Sequence, residues 1–158
     1  MRIVVVRHGH AEPKRGWAGL DVDRPLVARG RRQAERLGSL IGAEQPARVI
    51  SSPARRCVAT VQPVADKAGL TVQLSDQLSS SAGPAAAELC EALVVSEPAD
   101  SVVVLCTHRE VLVQLLPWLS KQFGRNLGHR LPGAKGAVWF LCFRGPDLLT
   151  VEYRAPGA

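Results

Sequence analysis

The two most apolar runs in this 158-residue chain both end in histidine. Arg2–Val6 leads into Arg7-His8-Gly9, and Ser101–Cys106 leads into Thr107-His108. Each run is short, continuous and rich in β-branched residues, the pattern of a parallel strand buried on both faces. Strands of that kind need helices on both sides, which narrows the choice of fold more than any other feature.

The rest of the chain supplies those helices. A helix is predicted over 26–43 after Pro25, with apolar positions Leu26, Val27, Ala34, Leu37, Leu40 and Ile41. Gly30 weakens its first turn. Arg48–Ser51 reads as a second short strand. A further helix opens at Pro53 and runs to about Lys67, with Gly69 after it and Pro63 bending or shortening it. Leu70–Leu74 reads as a third strand, Pro84–Val95 as an alanine-rich helix, and Arg109–Phe123 as a helix kinked at Pro117. Gly136–Phe143 and Leu148–Tyr153 are closing strands joined by the Gly145-Pro146-Asp147 turn. Strands alternating with helices imply an α/β fold, a three-layer α/β/α sandwich on a mostly parallel sheet, with residues 1–158 as one domain.

No apolar stretch approaches the ~18–20 residues that cross a bilayer. The apolar run near Met1 is too short for a signal-peptide core, so no membrane role and a cytoplasmic location are expected. The formal charge of +6 comes from 20 Lys+Arg against 14 Asp+Glu, and arginine dominates the basic residues. Arginine forks grip phosphates or carboxylates through paired N–H donors, although a G+C-rich genome produces the same excess. Few aromatics and the lack of a basic run or recognition signature disfavour nucleic acid as a partner. Cys57, Cys90, Cys106 and Cys142 form no CxxC pair and read as reduced thiols.

In open α/β sheets ligands bind beyond the carboxyl ends of the strands, where His8 and His108 can reach one crevice. The segment Ser51-Ser52-Pro53-Ala54-Arg55-Arg56 leaves the second strand and brings arginines to the same edge. This set suits no metal, because guanidiniums repel a cation and no carboxylate stands at ligand spacing. It suits a phosphate, whose oxygens the arginine forks neutralise while a neutral imidazole attacks phosphorus. For that, His8 needs one ring nitrogen held as a donor and the other free. Gly9 would let the backbone approach the phosphate closely. In the polar loop from Glu12 to Arg24, Lys14, Arg15 and Trp17 could hold more phosphate or stack on a base; the loop reads equally well as a solvated connection. His10 and His129 have no motif role and are expected at the surface or at caps, while Trp118 and Trp139 are expected in the core.

On these residues the chain resembles the histidine phosphatase superfamily, also called phosphoglycerate-mutase-like. Arg7-His8-Gly9 matches the RHG signature, Ser52-Pro53-Ala54-Arg55-Arg56 the SPxxR element, Thr60 the threonine that follows it, and His108 the second histidine. Arg24-Pro25-Leu26 with Gly30 and Gln33-Ala34 is similar to the first-helix pattern. The resemblance implies that His8 is the phosphorylated nucleophile and that Arg7, Arg56 and His108 line the phosphate pocket. Gly9, Lys14, Arg15 and Thr107 would bind substrate, with no metal and no cofactor; Arg55 would be a surface charge. The short length is most similar to the SixA-type phosphohistidine phosphatase branch. Lys135–Trp139 is similar to phosphatase domains fused to Nudix hydrolases, which points to nucleotide-like substrates.

Three positions depart from the family pattern. Ser80 stands where many members carry a general-acid Glu, Ala59 replaces a glutamine, and Arg109-Glu110 follows His108. An alkoxide must be protonated as it leaves, a service worth roughly 10²–10⁴-fold. Imidazole or phosphate departs more readily, since its conjugate acid has a pKa of about 6–7. A phosphohistidine protein or a nucleotide phosphate is therefore expected ahead of a sugar-phosphate monoester, provided that Glu12, Asp21, Asp23, Asp76 and Glu110 stay out of the pocket. The alternative is a catalytically weak phosphate-binding or regulatory module; oligomeric state is left open.

Overall fold

The computed structural model describes residues 1–124 and 133–156, so His129 lies outside the described residues. In chain order the elements are β1 (Arg2–Arg7), α1 (Ala28–Gly42), β2 (Arg48–Ser51), α2 (Arg55–Ala68), β3 (Val72–Leu74), α3 (Ala85–Ser96), β4 (Val102–Thr107), α4 (Arg109–Phe123), β5 (Val138–Arg144) and β6 (Asp147–Arg154). Short 3₁₀ turns lie at Asp21–Asp23 and Asp76–Leu78. The strands form one sheet in the order β3-β2-β4-β1-β5-β6. The first four run parallel, and β5 and β6 add an antiparallel edge.

The continuous apolar runs are explained by burial on both faces. Ile3, Val5, Val103 and Leu105 pack against α3 and α4, while Val4, Val6, Val104 and Cys106 pack against α1 and α2. All eight side chains are fully buried. The result is the expected α/β/α sandwich, with β1 and β4 at its centre. Trp139 is buried and Trp118 packs against the same core, as expected.

The helices differ from the sequence pattern in instructive ways. α1 begins at Ala28, because Leu26 is drawn into a bridge with Ala11 and the Val27 N–H donates to the His10 carbonyl at 3.0 Å. α2 starts at Arg55 and runs through Pro63 to Ala68 before Gly69, at φ 66°, caps it in the left-handed region. Pro63 does not end it. The ring sits against Gly38 of α1, where a Cβ would stand 2.8 Å from Pro63 Cβ, so the missing side chain lets the two helices approach. β5 and β6 turn through Gly145 at φ 54°, a positive value suited to the first central residue of a tight hairpin.

Gly30 also has a positive role. A Cβ there would lie 2.0 Å from the His10 carbonyl oxygen, so only glycine allows α1 to press on the loop that leaves β1. We expect Gly30→Ala to lower the unfolding free energy by about 1–3 kcal/mol, despite alanine's better helix propensity. A thermal or urea unfolding curve unchanged by the substitution would contradict this close contact.

Candidate active site

Strand register brings the two histidines together. Arg7 on β1 pairs with Thr107 on β4, so the residues after them leave neighbouring strand ends side by side. The His8 and His108 ring centroids lie 5.4 Å apart, with planes at 64°. On the other flank of β4, β2 ends level with Cys106, and the chain turns through Ser52 and Pro53 into α2.

His8 is buried, and its Nδ1 lies 2.8 Å from the Gly9 carbonyl oxygen. A carbonyl only accepts, so Nδ1 carries the proton and Nε2 keeps a lone pair. Burial pushes the His8 pKa down to about 3; the Gly9 bond works against that shift, while His108, Arg56 and Arg7 add to it. The imidazole is therefore neutral throughout the physiological range. In the unfolded chain a histidine titrates near 6.5, so between about pH 3 and 6.5 the unfolded state binds the extra proton and stability rises with pH. Lowering the pH from 7 to 5 should cost wild type about 2 kcal/mol more than it costs His8→Gln. Parallel urea titrations of the two proteins check this; equal losses would mean that His8 is not held neutral.

His108 is held from both sides. Arg56 Nη2 donates to its Nδ1 at 3.1 Å, which leaves Nε2 as the protonated nitrogen, donating to Ser52 Oγ at 2.8 Å. Arg56, only 3% exposed, also donates from Nη1 to the Asp21 carbonyl at 2.7 Å and from Nη2 to Asp21 Oδ2 at 3.0 Å. Slight burial would raise the Asp21 pKa, but the Arg24 hydrogen bond and the Arg56 and Arg24 charges outweigh it and hold the carboxyl below its usual range.

Two further residues fix the backbone around His8. Thr60 Oγ1 accepts the Gly9 N–H at 3.0 Å and donates to the Arg56 carbonyl at 2.6 Å, tying β1's end to α2. Gln33 Oε1 accepts the His10 N–H at 3.0 Å and lies 2.9 Å from His10 Nδ1. Its Nε2 donates to the Lys135 carbonyl at 2.8 Å. His10 is thus a tie between loop and helix rather than a surface or capping residue.

At His8 opens a cavity of about 420 Å³, whose lining includes Arg7, Lys14, Asp21, Arg24, Arg56, Ser80, Arg109, Glu110 and Lys135. An adjoining cavity of about 270 Å³ shares Asp21, Arg56 and Ser80 and reaches Ser52 and His108. Of the residues expected at the site, Arg7, His8, Arg56 and Lys14 line the main cavity, and His108 lines its neighbour.

Gly9, Arg15 and Thr107 line neither. Gly9's open side faces the Gly30 carbonyl, where a Cβ would stand at 3.1 Å, so this glycine serves the packing of α1 rather than a close approach to phosphate. Thr107 is fully buried, and its hydroxyl donates to the Leu78 carbonyl at 2.7 Å. Arg15 is exposed outside the cavity, and Trp17 folds back on its own loop, donating to the Leu20 carbonyl at 2.9 Å. Arg55 is exposed and lines neither cavity. Ala59, in place of glutamine, packs against the small cluster of Ala11, Leu26 and Ala34.

Asp21 and Glu110 do enter the main cavity, whereas Glu12, Asp23 and Asp76 do not line it. Serine at position 80 therefore does not leave the cavity without a carboxylate, and the premise that restricted the leaving group falls. Sequence reasoning also missed Arg109 and Lys135 as lining residues, while it placed Arg24 on the loop beside the pocket, where it does line the cavity. Arg109 was visible only as a departure from pattern, and Lys135 reaches the site because Gln33 holds its backbone. Among the described residues no group of three or more His, Cys, Asp or Glu could hold a metal ion. No described helix is long and apolar enough to cross a membrane.

A mostly parallel α/β sandwich with a neutral histidine beside guanidiniums at the strand ends has the chemistry to receive a phosphoryl group. Comparison with known proteins gives the family: residues 3–83 match the histidine phosphatase superfamily (branch 1). The chain belongs to that superfamily. An 8-oxo-(d)GTP phosphatase of Mycolicibacterium smegmatis is 29% identical over 98% of this chain, which spans 48% of that longer protein. The protein histidine phosphatase SixA complexed with tungstate superposes with a TM-score of 0.76 at 18% identity, covering 99% of this chain and 97% of SixA. A mycobacterial glucosyl-3-phosphoglycerate phosphatase in complex with VO3 gives 0.71 at 21% identity, covering 97% and 96%.

Proposed function

We propose that the 158 residues form one phosphatase domain that transfers a phosphoryl group to His8 and then to water. The observation that carries this is the His8 ring: neutral, with its proton fixed on Nδ1 by the Gly9 carbonyl and Nε2 left as a nucleophile in a cavity shared with Arg7 and Arg56. In the first displacement Nε2 forms a bond to phosphorus while the bond to the leaving group breaks, the electron pair departing with that group. Arg7 and Arg56 hold the phosphoryl oxygens as charge develops on them. In the second, water attacks the phosphohistidine and the P–N electron pair returns to Nε2. One proton of the water stays on the released phosphate and the other goes to solvent.

His108, linked to Arg56 and Ser52, orients the Arg56 fork toward the shared phosphate. The relatives' names support two substrate classes, a nucleotide phosphate and a phosphohistidine protein. Rapid quenching with substrate labelled in the terminal phosphoryl group should trap acid-labile, alkali-stable label on His8. Vanadate or phosphate binding without turnover of nucleotides, phosphohistidine protein or aryl phosphates would instead mark a regulatory phosphate-binding module.

A further inference from the structure

The main cavity holds more positive charge than one phosphoryl group can neutralise. Arg7, Lys14, Arg24, Arg56, Arg109 and Lys135 line it, against the two carboxylates Asp21 and Glu110, so four positive charges stand in excess beside a neutral His8. Asp21 is already engaged by Arg24 and Arg56. Lys14, Arg109 and Lys135 make no side-chain hydrogen bond or ion pair with any described residue. Lys135 is half-buried, and burial together with Arg7, Arg24 and Arg56 lowers its pKa; Arg7 is lowered by burial and by Arg109. Cations crowded together in a partly desolvated cavity cost free energy unless a multiply charged anion joins them.

A phosphomonoester or a phosphohistidine brings a charge of about −2, and each inner phosphoryl group of a polyphosphate adds about −1. A triphosphate would balance the cavity, whereas a single phosphoryl group would leave half the excess in place. Arg56 and Arg7, the arginines whose charges act on His8, serve the reacting group, which leaves Lys14, Arg109 and Lys135 for oxygens further out.

Building on the His8 phosphatase reading, we infer that the substrate is a nucleoside di- or triphosphate whose terminal phosphoryl group is attacked, with Lys14, Arg109 and Lys135 forming an outer subsite for the phosphoryl groups that leave. The bond broken is then the P–O bond between the last two phosphorus atoms. Its electron pair leaves on the oxygen of the penultimate phosphoryl group, a weakly basic anion that the outer cations also stabilise. No carboxylic acid need stand where Ser80 does.

The test compares kcat/KM for a nucleoside triphosphate, a phosphohistidine peptide and p-nitrophenyl phosphate, assayed without divalent cations. Wild type should favour the triphosphate over the peptide by at least tenfold. In the Arg109→Ala/Lys135→Ala double variant, the ratio of triphosphate to p-nitrophenyl phosphate kcat/KM should fall at least 30-fold, with most of the loss in KM. Replacing Arg109→Ala by Arg109→Lys in that variant should restore most of the Arg109 share, because an outer charge needs no fork. Preference of wild type for the peptide, or an unchanged ratio in the double variant, overturns the outer subsite while leaving the His8 phosphatase standing. Failure of that underlying reading has a different signature: none of the three substrates labels His8.

Discussion

Replacing His8 with alanine should abolish phosphoenzyme formation and lower kcat by about 10⁴-fold or more, the scale seen when a covalent nucleophile is removed. The fold should survive. Among the described residues the neutral imidazole makes one side-chain hydrogen bond, to the carbonyl of the next residue. His8→Ala should still bind vanadate or phosphate, because Arg7 and Arg56 remain in the cavity. The loss should therefore appear in kcat and in label rather than in the affinity for an inorganic anion. Label retained by the variant, or turnover within tenfold of wild type, would transfer the nucleophile's role elsewhere.

The second large effect concerns Arg56. This one guanidinium binds the Asp21 carbonyl and carboxylate and the Nδ1 of His108 while lining both cavities. Arg56→Ala should lower kcat by roughly 10²–10³-fold, as removal of a preorganised oxyanion donor does. It also removes the Arg56 donor from the buried His108 Nδ1, leaving the Cys57 thiol beside it at 4.0 Å, so the His108 tautomer is held less firmly. Arg56→Lys restores the charge but not the fork, since a single ammonium cannot keep the Asp21 and His108 contacts and still reach a phosphate. It should recover less than a tenth of the lost activity. Full recovery by lysine would show that charge alone is needed at this position. Equal loss in both variants, accompanied by a large fall in thermal stability, would place Arg56's role in the fold.

Much of the architecture was legible because burial on both faces writes itself into the chain as unbroken apolar runs. Val4 and Val5 face opposite helix layers, and both had to be apolar. The limits of α1 and α2 were less legible. Whether Pro63 ends a helix depends on whether a neighbour makes room for its ring, and that neighbour, Gly38, lies on another helix. The same holds for Gly30 and Gly9. Each reads locally as a freedom of the backbone, yet they are required because α1 and the loop after β1 touch each other.

The chemical identity of the site was carried by residues next to strand ends. Arg7 ends β1, and His8 and His108 follow strands whose order and register place them side by side. Asp21, Arg109, Glu110 and Lys135 complete the cavity from a loop, a helix start and a segment reached through Gln33. The positions of those residues follow from no local periodicity.

The sequence by itself therefore determined the sandwich, the strand ends on which the histidines sit and the expectation that Arg7, His8 and Arg56 share one site. Apolar patterning and motif spacing are local properties, and local properties survive in a one-dimensional chain. Only the tertiary structure decided that Thr107 and Gly9 face inward to packing partners, that Asp21 locks Arg56 against His108, and that Lys14, Arg109 and Lys135 line the cavity with no side-chain partner among the described residues. Those outcomes depend on distances between segments far apart in sequence, where hydrogen bonding, desolvation and charge act through space rather than along the backbone.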